Sequence, residues 1–564
     1  MARYHMLRAA IILLTAVAVA CGGSAAPTAT APVAPTATGA AAATPTRVVA
    51  AAASTPTPTS ATAPTVSVAR GSRGTMTMAS VADITNLDVH VANAAGLTWF
   101  YIVSDVNAAL LAPSDGPAYK PYLAESWQWV DPGRKIKFTI RKGARFHDGK
   151  AVTAQDVACT MDKLKDPNFK GTGTLARLIK EYEVVDDRSI VFTTTDVLST
   201  IWFDLAGFIT QPCHQPPYSV MQKNPIGAGP YKVVEWRPFE SLLIQDAGYF
   251  WQPVEVNTIR RLVVPEPESR LAMLKAGQID FMDEVQPRQA EQLLKDKRYT
   301  IEVADGGNWA SLVFSTDTDV IPGTDVPNPF LDVRVRRAFI MALDRKAIFD
   351  GIALGKYGTY IPGPWPRYMS GGSVQDKITP YAYDPKGARQ LLEEAKFPFD
   401  LEWPFWVYRT TGGFSESAEA AVSYWNAIGV KARYRLTEVG TLVSYWSATP
   451  ARTYPLKFIR ASQFPAPEPG LYVWCPKELA GCGAPVRDPK LLQLGTQLRT
   501  AFEPAERDAI LQEAYRTVHD NAVQIPIMGG ALIYAFNQRV YYPQIEGDQR
   551  LWHLWRTKWL PGAP

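Results

Sequence analysis

From Lys135 to Arg141 the chain reads KIKFTIR, apolar at every second position, the period of a strand with one buried face. Lys142-Gly143 and Asp148-Gly149 bracket Arg145-Phe146-His147 with turn residues, so a short extended piece is expected between two turns. Thr153 and Asp156 follow at capping-box spacing, and a helix is expected to open there. Further along, Asp332 precedes Val335, Ala338, Phe339, Ala342 and Leu343, whose i, i+3, i+4, i+7, i+8 spacing draws one apolar stripe along a helix. Arg334, Arg336 and Arg337 fall between those positions and read as its solvated face. Asp384-Pro385 supplies an N-cap and first-turn pair ahead of Ala388, Leu391, Leu392 and Ala395. Ala418 to Ile428 is another helical run, stopped by Gly429 before the strand-like Val430 to Leu436. The two periods take turns along the whole body, which predicts mixed α/β layers, and no solenoid-type repeat interrupts them.

The first seventy residues follow neither period. Arg3 and Arg8 precede the apolar run Ala9 to Ala20, which has the length of a signal-peptide core and is too short to span a bilayer. Export is therefore expected. The run ends Ala18-Val19-Ala20-Cys21-Gly22-Gly23, which resembles a lipobox in which Cys21 is lipidated, with Ala18 where that motif usually has Leu. The competing reading is a plain secretory signal with an incidental cysteine. Residues 22–72 are expected to be a linker, because Gly22 to Arg70 holds no aromatic, Leu, Ile or acidic residue to offset the entropy of ordering. Its prolines favour extended conformations that would hold a folded body clear of a membrane. Nothing after Cys21 reads as a membrane span.

At 564 residues the chain has room for three or four structural units at roughly 150 residues each. Lys+Arg 58 against Asp+Glu 54 is too balanced for the basic stripe of a nucleic-acid binder, so no nucleic-acid partner is expected. Four cysteines remain beyond Cys21: Cys159, Cys213, Cys475 and Cys482. In an oxidising compartment they can pair, and Cys475 with Cys482 is the favoured short-loop pair. No CxxC, HxxxH or HExxH is present, and neither a metal site nor a cofactor is expected. Gly227-Ala228-Gly229 precedes a strand-like run, so it lacks the context of a phosphate loop. Gly413-Phe414-Ser415-Glu416-Ser417 ends in Ser where a nucleophile elbow needs its second Gly. His147-Asp148 sits between a hairpin and a capped helix and reads as architectural. No catalytic residue is assigned.

Pro121-Tyr122-Leu123-Ala124-Glu125-Ser126-Trp127, with Ile136 to Val157 (IKFTIRKGARFHDGKAVTAQDV), resembles the signature of the family 5 extracellular solute-binding proteins, the oligopeptide, dipeptide and nickel receptors of ABC importers. Supporting blocks follow in the family's order: Pro225 to Trp236 (PIGAGPYKVVEW), Arg270 to Asp280 (RLAMLKAGQID), Val333 to Arg345 (VRVRRAFIMALDR) and Tyr383 to Ala395.

The resemblance implies an α/β fold of the class II periplasmic binding protein type, two hinged lobes with an extra inserted domain. Lobe I would take residues 74–118, 229–305 and 524–564, the inserted domain 119–228, and lobe II 306–521. It further implies a monomer that captures a peptide or other small solute in an interlobe cleft and hands it to the permease subunits of an ABC importer. Its place would be the outer face of a membrane, held by Cys21. A tethered extracellular hydrolase, or a receptor or chaperone on the same fold, is the alternative. In peptide-binding members an aspartate pairs with the ligand's amino group. The matching stretch, Phe458 to Pro469, puts Gln463 there, and a neutral amide cannot balance a buried ammonium. Glu468 can substitute if the loop shifts. Otherwise the ligand is an oligosaccharide or a blocked or modified peptide. Trp309, Trp365, Trp446, Phe464 and Trp474 are the aromatic candidates for the cleft wall.

Overall fold

The computed structural model describes residues 74–560, except for most of 82–104, for 409–412, 438–455, 463–487 and 543–553, and for short stretches at 115, 170–173, 200, 216–217, 239, 249–252, 315, 317, 322–323 and 368. Its first strands are β1 (Thr75–Ser80), β2 (Leu111–Ser114), β3 (Gly116–Pro121), β4 (Ala124–Asp131), β5 (Lys135–Ile140), β6 (Ile179–Asp186) and β7 (Ser189–Thr194). There follow β8 (Tyr231–Arg237), β9 (Ser241–Asp246), β10 (Thr258–Val263), β11 (Phe281–Met282) and β12 (Tyr299–Phe314). The last long ones are β13 (Glu402–Tyr408), β14 (Lys431–Thr437), β15 (Leu456–Ser462) and β16 (Gln524–Asn537).

Among the described residues, ten of these strands form one sheet in the order β14-β13-β15-β12-β16-β11-β1-β10-β9-β8, and β4-β5-β7-β6 form a separate four-stranded sheet. β12 and β16 are the long central pair, antiparallel from Tyr299↔Asn537 to Val313↔Gln524. Their register slips between Ala304 and Asn308, where three residues of β12 lie opposite one of β16. Such an insertion bends a strand and increases its twist.

The run QIPIMGGALIYAFN explains how β16 can be central: it is buried along nearly its whole length, as a strand covered on both faces must be. Side-chain alternation splits its residues between cores. Leu532, Tyr534 and Phe536 join a first core with Met76, Met78, Ile244, Ile259 and the inner face of the four-stranded sheet, Ile136, Phe138, Ile190 and Phe192. Ile525, Ile527, Ile533 and Ala535 join a second core that runs under both halves of the large sheet, from Leu271 and Met282 to Phe339, Phe405 and Trp425. A third core, Trp309, Ile361, Trp365, Leu491, Leu498, Leu511, Tyr515 and Val523, is built around Trp309 of β12.

Local chemistry sets the element ends. The Thr153 amide donates to the Asp156 carboxylate at 2.9 Å where the helix Ala154–Lys165 opens. The Asp332 carboxylate accepts from the Arg334 amide at 2.8 Å ahead of Val333–Met341, and Asp384 from the Gly387 amide at 2.9 Å ahead of Pro385–Glu394. Gly429, at φ 90°, turns the chain from helix Phe414–Ala427 into β14, a conformation that suits glycine.

Two readings of the sequence change. Arg336 is not solvated: it is 7% exposed and donates to the carbonyls of Phe330, Leu331 and Asn521. Arg337 donates to the Asp520 carbonyl. The pair caps the C-terminal end of the helix Pro504–Asp520, where unpaired carbonyls and the helix dipole favour cations. The disulfide within the described residues joins Cys159 to Cys213, 54 residues apart, a pair the spacing did not single out. It ties the helix Ala154–Lys165 to the chain beyond the four-stranded sheet. Cys475 and Cys482 lie outside the described residues.

Candidate functional site

β1 runs parallel to β10 and β11, and β11 runs antiparallel to β16 from Phe281↔Phe536 to Met282↔Ala535, so all three point their carboxyl ends toward the middle of β16. On the other side of the sheet β13 runs parallel to β14 and β15, and β15 ends with Ser462 opposite Asn308 of β12. Asn308 in turn pairs with Gly530 of β16. Two sets of parallel strands therefore aim their carboxyl ends at one another across the place where the paired strands β12 and β16 cross from one set to the other. In open α/β sheets that is where ligands bind.

The crossing is built for close approach. A Cβ on Gly529 would lie 2.3 Å from the Thr359 carbonyl oxygen, and one on Gly358 would lie 2.4 Å from the Gly529 carbonyl oxygen. Arg345, 3% exposed, fixes the facing segment by donating to the carbonyls of Ile361, Pro362 and Pro526. Trp309 lies opposite Gly529, with its ring 6.0 Å from that of Trp365, which stacks on Tyr515 at 5.2 Å. The Trp309 Nε1 is buried and has no hydrogen-bond partner among the described residues.

A buried charged cluster lies at the β1, β10 and β11 ends. Arg261 Nε donates to Ser80 Oγ at 2.8 Å, and Arg270 donates to the carbonyls of Val264, Pro265 and Glu284. Asp283 and Glu284 follow β11 directly, 1% and 3% exposed. Burial pushes the Asp283 carboxyl up to about 6; the neighbouring Glu284 charge adds to this, and Arg261 and Arg270 oppose it. Glu284 holds a left-handed backbone at φ 51°, a conformation uncommon outside glycine. Two carboxylates against two guanidiniums leave this floor with little net charge when all are ionised.

Trp309 and Trp365 are thus neighbours in the third core, both at most 1% exposed. Trp446, Gln463, Phe464, Trp474 and Glu468 lie outside the described residues, although Gln463 directly follows Ser462, the β15 residue paired with Asn308. The Gly-Gly of β16, visible as an interruption in its apolar run, and the Asp283-Glu284 floor were not anticipated from the sequence. His147 has a fixed place away from the crossing. Its Nδ1 accepts from the Gly227 amide at 3.3 Å and its Nε2 faces the Gly229 carbonyl at 3.0 Å, which identifies the neutral Nε2-protonated ring. Burial pushes it down to about 4. A side chain on Gly227 or Gly229 would collide with the Val106 or Asp105 carbonyl, so these glycines seat the same junction. Among the described residues no group of His, Cys, Asp and Glu is arranged to hold a metal ion, and no helix is long and apolar enough to cross a membrane.

The model of a family described as bacterial extracellular solute-binding proteins, family 5, matches residues 118–477. Heme-binding protein A of Haemophilus influenzae is 29% identical over 348 residues, covering 55% of this chain and 61% of that protein. The dipeptide-binding protein of Escherichia coli is 24% identical over 357 residues, covering 57% and 64%. The chain thus spans a little over three fifths of the length of these curated relatives. Among solved structures, the oligopeptide-binding protein AppA of Bacillus subtilis with a nonapeptide superposes with a TM-score of 0.77 at 18% identity, covering 86% of this chain and 99% of that one. NikZ of Campylobacter jejuni with Ni(L-His) gives 0.72 at 19%, covering 86% and 100%. The fold is that of these periplasmic binding proteins, two α/β lobes with an additional domain.

Proposed function

Because the chain belongs to the bacterial extracellular solute-binding proteins of family 5, whose members bind solutes rather than transform them, we propose that it is the lipid-anchored receptor of an ABC importer. It captures a small solute at the β12 and β16 crossing and delivers it to the permease. The observation that carries this reading is the convergence of two sets of parallel-strand carboxyl ends on one crossing point.

In this reading residues 74–118, 229–305 and 524–564 form one lobe, 306–521 the other, and 119–228 the inserted domain. β12 passes from one lobe to the other, β16 pairs with it on both sides of the boundary, and closure about this pair encloses the ligand. Cys21 is the lipid anchor and residues 22–72 the stalk, which places the body outside the cytoplasmic membrane. Trp446, Phe464 and Trp474 supply the aromatic wall, while Trp309 and Trp365, buried in the third core, hold the crossing in place. Gln463 takes the place of an amine-binding aspartate, which disfavours a free N-terminal ammonium in the closed cleft and favours a blocked or modified peptide or an oligosaccharide.

The test is a thermal-shift panel of free dipeptides, N-acetylated peptides, oligosaccharides, hemin and nickel-histidine. A true ligand stabilises by about 2.7 kcal/mol at one hundred times its Kd, with the melting temperature rising as its concentration rises. N-acetylated peptides or sugars should outperform free dipeptides. If none of the panel shifts the melt, the receptor reading loses its support.

A further inference from the structure

The crossing strands are not the sole link between the two sides of the body. Ser199, 5% exposed and in the loop after β7 of the four-stranded sheet, donates from its amide to the Arg499 carbonyl at 2.7 Å and from its hydroxyl to the Leu498 carbonyl at 3.1 Å. Arg507 donates to Ser199 Oγ at 2.5 Å and to the Ala501 carbonyl at 2.7 Å. Between these bonds the ring of Phe502 meets Trp129 of β4 edge-on at 6.0 Å, and Trp129 in turn meets Trp202 at 5.3 Å. Phe502 also lies so close to Gly133, in the β4–β5 turn, that a Cβ there would come within 2.5 Å of its ring.

This contact joins two cores that share no residue. Leu198 and the four-stranded sheet belong to the first, Leu498 and Leu511 to the third. The second core, by contrast, is continuous beneath the crossing. Opening about β12 and β16 can leave the second core whole while it parts the first from the third, and this bridge is what has to come apart. Among the described residues it consists of these hydrogen bonds and the contacts of the Phe502 ring with Trp129 and Gly133, with Phe502 still 38% exposed. Such small, polar contacts between domains separate readily, whereas a shared apolar core does not.

We propose that the Ser199, Arg507, Phe502 and Trp129 contact is a latch that engages as the crevice shuts and sets the closed-to-open ratio independently of ligand contacts. It rests on the clamp reading given above, and it assigns the inserted domain a part in gating.

The test uses the full chain, stripped of solute by unfolding and refolding with its disulfide intact. Spin labels on unnatural residues replace Val185 of the four-stranded sheet and Thr496 of the helix Pro489–Thr500, and pulsed electron spin resonance gives their distance distribution. The wild type should show a short and a long population. Loss of a hydrogen bond to a charged group, in Arg507→Ala, should lower the short-to-long ratio roughly tenfold. Phe502→Ala, which removes a partly exposed ring, should lower it too, and Arg507→Lys should fall between. An unchanged ratio in all three variants, with two populations in each, overturns the latch and leaves the clamp standing. One short distance in every sample, with and without stripping, overturns both.

Discussion

Trp309 of β12 stands directly opposite Gly529 of β16, so the bulkiest side chain on one crossing strand faces a residue that has none. The missing side chain also lets the Thr359 carbonyl and the Ile361 side chain come close to β16 at Gly529. Gly529→Ala therefore forces a backbone carbonyl to move, and overpacking of this kind costs about 1–3 kcal/mol. The expected outcome is a lower denaturant midpoint at an unchanged slope. A midpoint equal to wild type would mean that the crossing has slack.

The Cys159–Cys213 bond closes a loop of 54 residues, and constraint of the unfolded chain by a loop of that length is worth about 4 kcal/mol. Cys213→Ser should lower the melting temperature. Added reductant should lower it in the wild type and leave the variant largely unaffected, which separates this bond from any pairing of Cys475 with Cys482.

Arg336 satisfies three carbonyls at the meeting of helices Val333–Met341 and Pro504–Asp520. Arg336→Met keeps much of the volume but leaves the Phe330, Leu331 and Asn521 oxygens without these donors. About 2–4 kcal/mol should be lost, since unpaired buried acceptors cost about 1–3 kcal/mol each and partial relaxation offsets some of it. Arg334→Met, removing an exposed partner of Asp332, should cost under about 1 kcal/mol. Equal losses in the two would show that Arg336 is not buried as described.

His147 accepts one proton more readily when unfolded than when folded, since burial holds it near 4 and a second ring proton would face the Gly227 N–H. A depressed histidine contributes stability that is complete above the unfolded value of 6.5 and is lost as pH falls through the folded value of about 4. Unfolding free energy should thus decline between those limits, by an amount on the order of 3 kcal/mol from this residue. His90, also held near 4 by burial with Lys163 adding, contributes in the same direction. His147→Gln, whose amide can accept from Gly227 and donate to Gly229, should flatten the slope. A variant with the wild-type slope would place the titration elsewhere.

Much of the local architecture was legible because its causes are local. The Thr153 and Asp156 pair, the Asp332 and Asp384 caps and Gly429 act within four residues of themselves, and the alternation of KIKFTIR fixes the buried face of β5. The order of the ten strands was not legible from periodicity, because it depends on pairings such as Thr75↔Thr258 that no local pattern encodes; the family resemblance supplied the fold. Arg336 misled for a related reason: between the apolar positions of an isolated helix an arginine faces water, and only the helix end at Asn521 brings it inside. The disulfide was hidden by distance along the chain. Trp309 and Trp365 could be named as aromatics near the crossing, whereas their mutual packing required the third core to be seen.

The central claim is that a solute is enclosed where the carboxyl ends of β1, β10 and β11 meet those of β13, β14 and β15. A crystal structure of the protein with the solute it carries through purification tests this most directly. The account predicts an unaltered small molecule over the β12 and β16 crossing, within contact of residues from both sets of strands. A molecule bound elsewhere, or a crossing filled by the protein's own side chains in every crystal form, would contradict it.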